Sequence, residues 1–263
     1  MTRSPVGLLL MTLLLPGWLH AATVDVAATG QLQAATKGPG APEAKVYRSL
    51  DAPVAFLVTG SVFGRPVWVT TAPTSARLLD PARVTPSPSD AETMRVDTGG
   101  PQQDFLGVRF SGPDLVLDRD GVALTLTQAP PILGERTGAE LLAALPEYRR
   151  NAARYEPDAA SVAVLRRATQ PLELLVFFGS WCSHCEEMVP RLLKVMQEAQ
   201  GTGLTVRFHG VPADGAPDKV ADAMGVRALP TGVLRRDGKE VARMDVDDWE
   251  HPDKSLARLV AAR

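Results

Sequence analysis

The stretch "LELLVFFGSWCSHCEEMVP", residues 172–190, holds both cysteines of the chain, Cys182 and Cys185. Residues 172–178 are almost continuously apolar, which predicts a strand buried on both faces. The residues from Cys182 onward follow a helical pattern that is stopped by Gly201. The sequence therefore predicts that the two cysteines lie where a buried strand passes into a helix.

This position gives the cysteine pair a particular chemistry. The first turn of a helix exposes unpaired backbone N–H groups and a partial positive charge, and these stabilise a thiolate. We expect Cys182 to be the nucleophile that attacks a disulfide, because the thiolate is the attacking species in thiol–disulfide exchange. Cys185, one turn further along, would resolve the mixed disulfide. The pair is predicted to be a redox-active disulfide.

His184 is predicted to tune the pKa of Cys182. A positive charge or an N–H donor near the sulfur stabilises the reduced dithiol, which makes the disulfide a stronger oxidant. Glu186 and Glu187 act in the opposite direction, since nearby carboxylates disfavour a thiolate. We expect the contribution of His184 to dominate because it lies between the two cysteines.

Two other uses of a Cys-x-x-Cys pair fit this sequence poorly. A disulfide across two residues closes a very short loop and stabilises little through chain entropy. A structural zinc site needs four ligands, and the second pair is missing, with His209 and His251 isolated in the sequence. We expect no metal and no other cofactor.

The chain has 263 residues and a formal net charge of −2, which gives no electrostatic case for a nucleic-acid partner. Arg3 and the apolar run that follows it predict a secretory signal peptide over residues 1–22. Export would place the protein in an oxidising compartment, the periplasm. An uncleaved signal that anchors the chain in the membrane is the alternative.

Residues 23–135 are predicted to form a β-rich N-terminal region whose role the sequence does not indicate. Short β-branched and aromatic runs predict its strands, and Asp120-Gly121 predicts a hairpin turn. Residues 23–45, rich in Ala, Gly, Thr and Pro, are expected to be a flexible lead. Residues 136–263 predict the order α-β-α-β-α-β-β-α, a mixed sheet covered by helices.

Two motifs in residues 155–263 resemble the thioredoxin superfamily. "VFFGSWCSHCEEMVP" is similar to its active-site strand, turn and helix, with Trp181 before the first cysteine and Pro190 five residues after the second. "GVRALPTGVLRRDGKEV", residues 225–241, resembles the segment that carries the family's cis-proline. The resemblance implies a thioredoxin-like α/β fold, a mixed sheet flanked by helices and preceded by the smaller β-rich region.

The resemblance also implies a substrate-binding groove. It places the cis-proline at Pro230, with Leu229 before it and Thr231 after it, in a loop that lies against the cysteine pair in the family. Trp181 would form another side of this groove. Together with His184, these residues complete the predicted site around the two cysteines.

The sequence departs from thioredoxin itself at three places. Val176 stands where thioredoxin has a buried acid, six residues before the first cysteine, and Phe208 is expected in place of a lysine on the neighbouring strand. The spacer Ser183-His184 shares its histidine with the oxidising members of the superfamily. These departures favour a specialised exported redox protein over a general cytosolic reductant.

The leading hypothesis is a periplasmic thiol–disulfide oxidoreductase that acts on cysteines of other exported proteins and has a membrane redox partner. One alternative is a reductase or isomerase fed by a membrane electron donor, as in cytochrome c maturation. An alternative of another class is a redox-responsive binding module in which residues 23–135 recognise a partner. The sequence shows no signature that fixes the oligomeric state.

Overall fold

The structure is a computed structural model. It describes residues 23–36, 44–51, 53–88, 90–99, 103–213 and 215–262. The predicted signal peptide, residues 1–22, lies outside the described residues. Within these ranges, no helix combines the length and apolar character needed to cross a bilayer.

The N-terminal region contains two antiparallel sheets. The first has seven strands, in the spatial order β6 (Thr74–Leu78), β5 (Val67–Thr71), β4 (Ala55–Thr59), β3 (Lys45–Ser49), β1 (Thr23–Ala28), β8 (Asp90–Asp97) and β7 (Val84–Ser87). The second has four, in the order β2 (Leu32–Thr36), β11 (Val122–Gln128), β10 (Asp114–Arg119) and β9 (Gly107–Ser111). The predicted hairpin turn at Asp120-Gly121 joins β10 to β11.

The two sheets share an apolar core. Val58 and Val69 of the first sheet and Leu117 and Leu124 of the second are fully buried in one cluster. Because side chains alternate along a strand, each sheet can place one row of residues in this core and turn the other away. The β-rich character predicted for this region is confirmed.

The prediction of a flexible lead is wrong for residues 23–36, which form β1 and β2. Val26 in β1 is fully buried, and its strand pairs with β3 on one side and β8 on the other. Backbone pairing with these strands orders the segment and outweighs the weak local β-propensity of its Ala residues. Residues 37–43 lie outside the described part of the chain.

The third sheet is mixed and belongs to the C-terminal part. Its five strands, in spatial order, are β12 (Gly134–Arg136), β14 (Leu204–Gly210), β13 (Leu172–Phe178), β15 (Thr231–Arg236) and β16 (Lys239–Met244). Only the pair β13–β14 is parallel among these strands. The helices are α1 (Gly138–Ala144), α2 (Pro146–Arg154), α3 (Ala159–Arg167), α4 (Ser183–Glu198), α5 (Lys219–Ala223) and α6 (Pro252–Ala261).

Strand β13 is covered on both faces, as its apolar sequence predicts. Leu174 and Val176 pack in the cluster that includes helix α4, whereas Leu175 and Phe177 pack in a second cluster with Val233. The structure thus has the predicted thioredoxin-like sheet flanked by helices. Four residues separate the end of β13 from the start of helix α4, so the buried strand fixes where the cysteines lie.

Helix α4 contains Pro190, which leaves one backbone carbonyl without its usual partner. In a regular helix the N–H of residue 190 would bond the carbonyl of Glu186, and proline has no N–H. The side-chain amide of Asn151 on α2 donates to this carbonyl at 2.9 Å. Helix α2 therefore satisfies the group that the proline leaves free, at the residue that directly follows Cys185.

We expect Asn151→Ala to lower the free energy of unfolding by about 1–2 kcal/mol, because it leaves a partly buried carbonyl unsatisfied. In a Pro190→Ala background the new N–H can bond that carbonyl, so the same change should cost less. Denaturant unfolding of the wild type, both single variants and the double variant measures this coupling. Strictly additive effects would contradict the assigned contact.

Candidate functional site

Both cysteines belong to the start of helix α4. Cys182 is its N-cap residue, with extended backbone angles, and its Sγ accepts a hydrogen bond of 3.4 Å from the Cys185 backbone N–H. The two side chains are free thiols, with Cys182 partly exposed and Cys185 fully buried. A sulfur thus occupies the position where Ser, Thr or Asp usually caps a helix.

The environment separates the pKa values of the two thiols. The Cys185 thiol donates to the Cys182 sulfur, and this bond is the main reason that the pKa of Cys182 falls to about 6. The backbone N–H groups of Cys185 and His184 and the charge of His184 lower the pKa further, against the opposing effect of burial. The same thiol–thiolate bond, together with burial, raises the pKa of Cys185. Cys182 can therefore be a thiolate at neutral pH while Cys185 keeps its proton.

Trp181 is held beside Cys182 by one hydrogen bond and one close approach. Its indole Nε1 donates to the Val211 carbonyl oxygen at 3.2 Å. A Cβ atom at Gly179 would lie 2.7 Å from the indole ring, so only glycine leaves room for the ring there. The preceding Ser180 accepts a hydrogen bond from the Ile132 backbone N–H at 2.9 Å.

The loop before β15 lies at the same edge of the sheet. The Leu229–Pro230 peptide bond is cis, in agreement with the cis-proline that the resemblance implies. Thr231 is buried, pairs with Phe177 at the end of β13, and donates to the Ala228 carbonyl at 2.8 Å. Leu229 packs against both clusters that flank β13. The structure thus brings Leu229, Pro230 and Thr231 to the end of the sheet that carries the cysteines; their role in substrate binding stays a prediction.

The position of the missing acid is apolar, as the sequence indicates. Val176 is fully buried and pairs with Phe208 on the neighbouring strand. Two buried titratable groups lie instead on α2, Glu147 and Tyr148, each about 1% exposed. Burial raises the pKa of both, and the negative charge of the cysteine sulfurs adds to the rise for Tyr148.

The N-terminal region reaches the cysteine helix through the turn between β1 and β2. The side-chain amide of Gln31 donates to the Glu186 carboxylate at 2.7 Å, and the Gly30 N–H donates to Glu147 at 2.9 Å. Arg150 also donates to the Ala28 carbonyl oxygen at 3.2 Å. The sequence gives no indication of these contacts, because their partners are more than 100 residues apart in the chain and no local pattern predicts them.

His209 is a buried residue at the end of β14, and its Nε2 lies 3.0 Å from a carboxylate oxygen of Asp218. Asp218 also caps helix α5 by accepting two backbone N–H groups. Across the residues that the structure describes, no three metal-binding side chains come together. His209 thus has a structural partner in Asp218.

Comparison with known proteins assigns this fold and site to a family. Residues 161–260 match the family described as Thioredoxin. Thioredoxin Asp f 28 of Aspergillus fumigatus is 33% identical over 85 residues, which are 31% of this chain and 74% of that protein. The chain belongs to the thioredoxin family.

Other relatives also match a part of the chain. Thioredoxin H2-1 of Oryza sativa subsp. japonica is 35% identical over 91 residues, 35% of this chain and 62% of that protein. The reduced form of thioredoxin 2 from Pseudomonas aeruginosa PAO1, a solved structure, is 26% identical, with a TM-score of 0.27 and coverage of 42% of this chain and 97% of that one. This chain thus spans about three fifths of the rice thioredoxin, and the thioredoxin family domain accounts for residues 161–260.

We expect the thiolate absorbance of the reduced protein to titrate with a midpoint of about 6. Cys185→Ala should raise this midpoint more than His184→Ala, because it removes the thiol donor, whereas the second change removes only a side-chain charge and keeps the backbone N–H. Ultraviolet absorbance against pH measures both shifts, with Cys182→Ala as the blank. A wild-type midpoint near the ordinary thiol value of about 8.5 would refute the assigned electrostatics.

The lowered pKa of Cys182 also predicts a pH-dependent stability of the reduced protein. A thiol whose pKa is depressed by folding stabilises the folded state above its ordinary pKa, and this stabilisation disappears as the pH falls through about 6. We expect the unfolding free energy of the wild type, relative to Cys182→Ser, to shrink between about pH 8 and about pH 5. A difference that stays constant or grows toward low pH would have the wrong sign.

Proposed function

We propose that this protein is an exported thiol–disulfide oxidoreductase that exchanges disulfides with cysteines of other exported proteins. The observation that carries the proposal is the unequal environment of the two thiols. Cys182 is partly exposed and has a pKa of about 6, whereas Cys185 is fully buried and keeps its proton. An accessible nucleophile beside a protected second thiol is the arrangement that two-step disulfide exchange requires.

The exchange proceeds in two steps that conserve atoms and electrons. The Cys182 thiolate attacks one sulfur of a substrate disulfide, a bond forms between the two sulfurs, and the other substrate sulfur leaves as a thiolate and takes a proton. Cys185 then loses its proton and attacks the Cys182 sulfur, which releases the second substrate thiolate. The protein dithiol has given two electrons to the substrate disulfide; the reverse sequence oxidises a substrate dithiol.

The environment of Cys182 favours the oxidising direction. An interaction that stabilises the Cys182 thiolate lowers the free energy of the reduced dithiol. Reduction of the protein disulfide therefore becomes more favourable, which makes it a stronger oxidant. His184 contributes to this stabilisation through its backbone N–H and its charge. The Glu186 carboxylate accepts a hydrogen bond from the Gln31 side-chain amide. This donor offsets part of the negative charge that would otherwise disfavour the Cys182 thiolate.

The proposed location is the periplasm. The observation that supports it is Arg3 followed by an apolar run in the first 22 residues, the layout of a secretory signal. An oxidant that has accepted electrons must pass them on, so the proposal includes a membrane redox partner that regenerates the Cys182–Cys185 disulfide.

We expect Cys185→Ala to accumulate mixed disulfides with substrate proteins through Cys182, because the resolving thiol is gone. Non-reducing electrophoresis of the tagged full-length protein, followed by mass spectrometry of the captured partners, detects them. Cys182→Ala and the double variant are the matched controls and should capture nothing. The enzyme proposal fails if the trap captures no partner and the wild-type pair shows no reversible oxidation.

A further inference from the structure

A pocket beside Trp181 is formed jointly by the N-terminal region and the thioredoxin domain. Its volume is 180 Å³. The N-terminal region contributes Gln31, Gln33 and Gln128, and the thioredoxin domain contributes Ala144, Ser180 and Trp181 among the lining residues. Neither part forms this pocket alone.

The pocket is lined by the two residues that directly precede the reactive cysteine in the chain, Ser180 and Trp181. The bonds from Trp181 to Val211 and from Ile132 to Ser180 hold this segment in place. A cysteine joined to Cys182 would therefore be held next to a segment that lines the pocket.

The N-terminal side of the pocket is fixed by polar contacts to helices α2 and α4. Gln31 is bonded to Glu186, and its neighbour Gly30 is bonded to Glu147. These are the contacts that set the position of the β1–β2 turn. The width of the pocket is consequently set by the joint between the two parts of the chain.

The lining has a distinct chemistry. No charged side chain is present among the residues that line the pocket. Within the described part of the chain, the exposed amides of Gln33 and Gln128 form no side-chain hydrogen bond, so both have donors and acceptors to offer. An indole ring with free amides suits an uncharged side chain that can stack or hydrogen-bond, and disfavours a charged one, which would lose water without gaining a counter-charge.

We propose that this joint pocket is a specificity subsite that binds the uncharged side chain of a residue flanking the reactive cysteine of a polypeptide substrate. The inference rests on the proposed exchange activity and names what the N-terminal region adds to it. Through this subsite the N-terminal region selects substrate cysteines according to the residue next to them.

The test uses cysteine peptides carried as mixed disulfides with glutathione and differing only in the residues next to cysteine. The reduced full-length protein should react at least about fivefold faster with peptides bearing Gln or Tyr there than with those bearing Glu or Lys. Using both charge signs separates pocket chemistry from net electrostatic attraction. Glutathione disulfide, which has no flanking polypeptide, reports basal exchange.

Two matched pairs of variants locate the effect. Ala144→Phe fills the pocket from an exposed helix position, whereas Ala143→Phe adds the same ring at the adjacent exposed position outside it. Gln128→Glu places a negative charge in the pocket, and Gln197→Glu places it on the exposed face of α4 as a control. All four should react with glutathione disulfide within about twofold of the wild type.

We expect Ala144→Phe to abolish the peptide preference and Gln128→Glu to shift it toward Lys, while both controls behave as wild type. A wild type without preference, or pocket variants that keep it, overturns the subsite and leaves the exchange activity intact. A wild type that reacts with neither the peptides nor glutathione disulfide overturns the proposed function and the subsite together.

Discussion

The structure depends on how the backbone N–H groups at the start of α4 find an acceptor. In this chain the acceptor is a sulfur, because Cys182 is the N-cap residue and receives the N–H of Cys185. One contact therefore satisfies a backbone N–H of the helix terminus and stabilises negative charge on the Cys182 sulfur. The helix can supply this because β13, buried on both faces, ends five residues before α4 begins and fixes its position.

Glu186 is the residue at which three parts of the molecule meet. Its carbonyl, left without a helical donor by Pro190, is bonded by Asn151 of α2, and its carboxylate is bonded by Gln31 of the N-terminal turn. It directly follows Cys185 in the sequence. A change in the position of the N-terminal region would therefore alter the contacts of the turn of α4 that carries Cys185.

The sequence predicted those features that short-range patterns encode. The buried run of β13 and the hairpin at Asp120-Gly121 both appear in the structure. It failed for β1 and β2, which lie in a segment rich in Ala and whose pairing partners are distant in the chain. It also missed Gln31, because a single glutamine between two strands gives no sign of a helix that lies 155 residues away.

The joint between the N-terminal region and helices α2 and α4 is made by polar contacts, and these suit it to fixing orientation. Glu147 is almost fully buried there, with one oxygen bonded to Gly30 and the other without a hydrogen-bond partner in the described residues. Burial raises the pKa of this carboxyl, so any stability it contributes in its neutral form is lost as the pH rises through that pKa. An interface that only held the two parts together would be expected to bury apolar groups instead. Directional hydrogen bonds to Glu147 and Glu186 define orientation, and orientation is what a pocket shared by two parts of a chain needs in order to keep its shape.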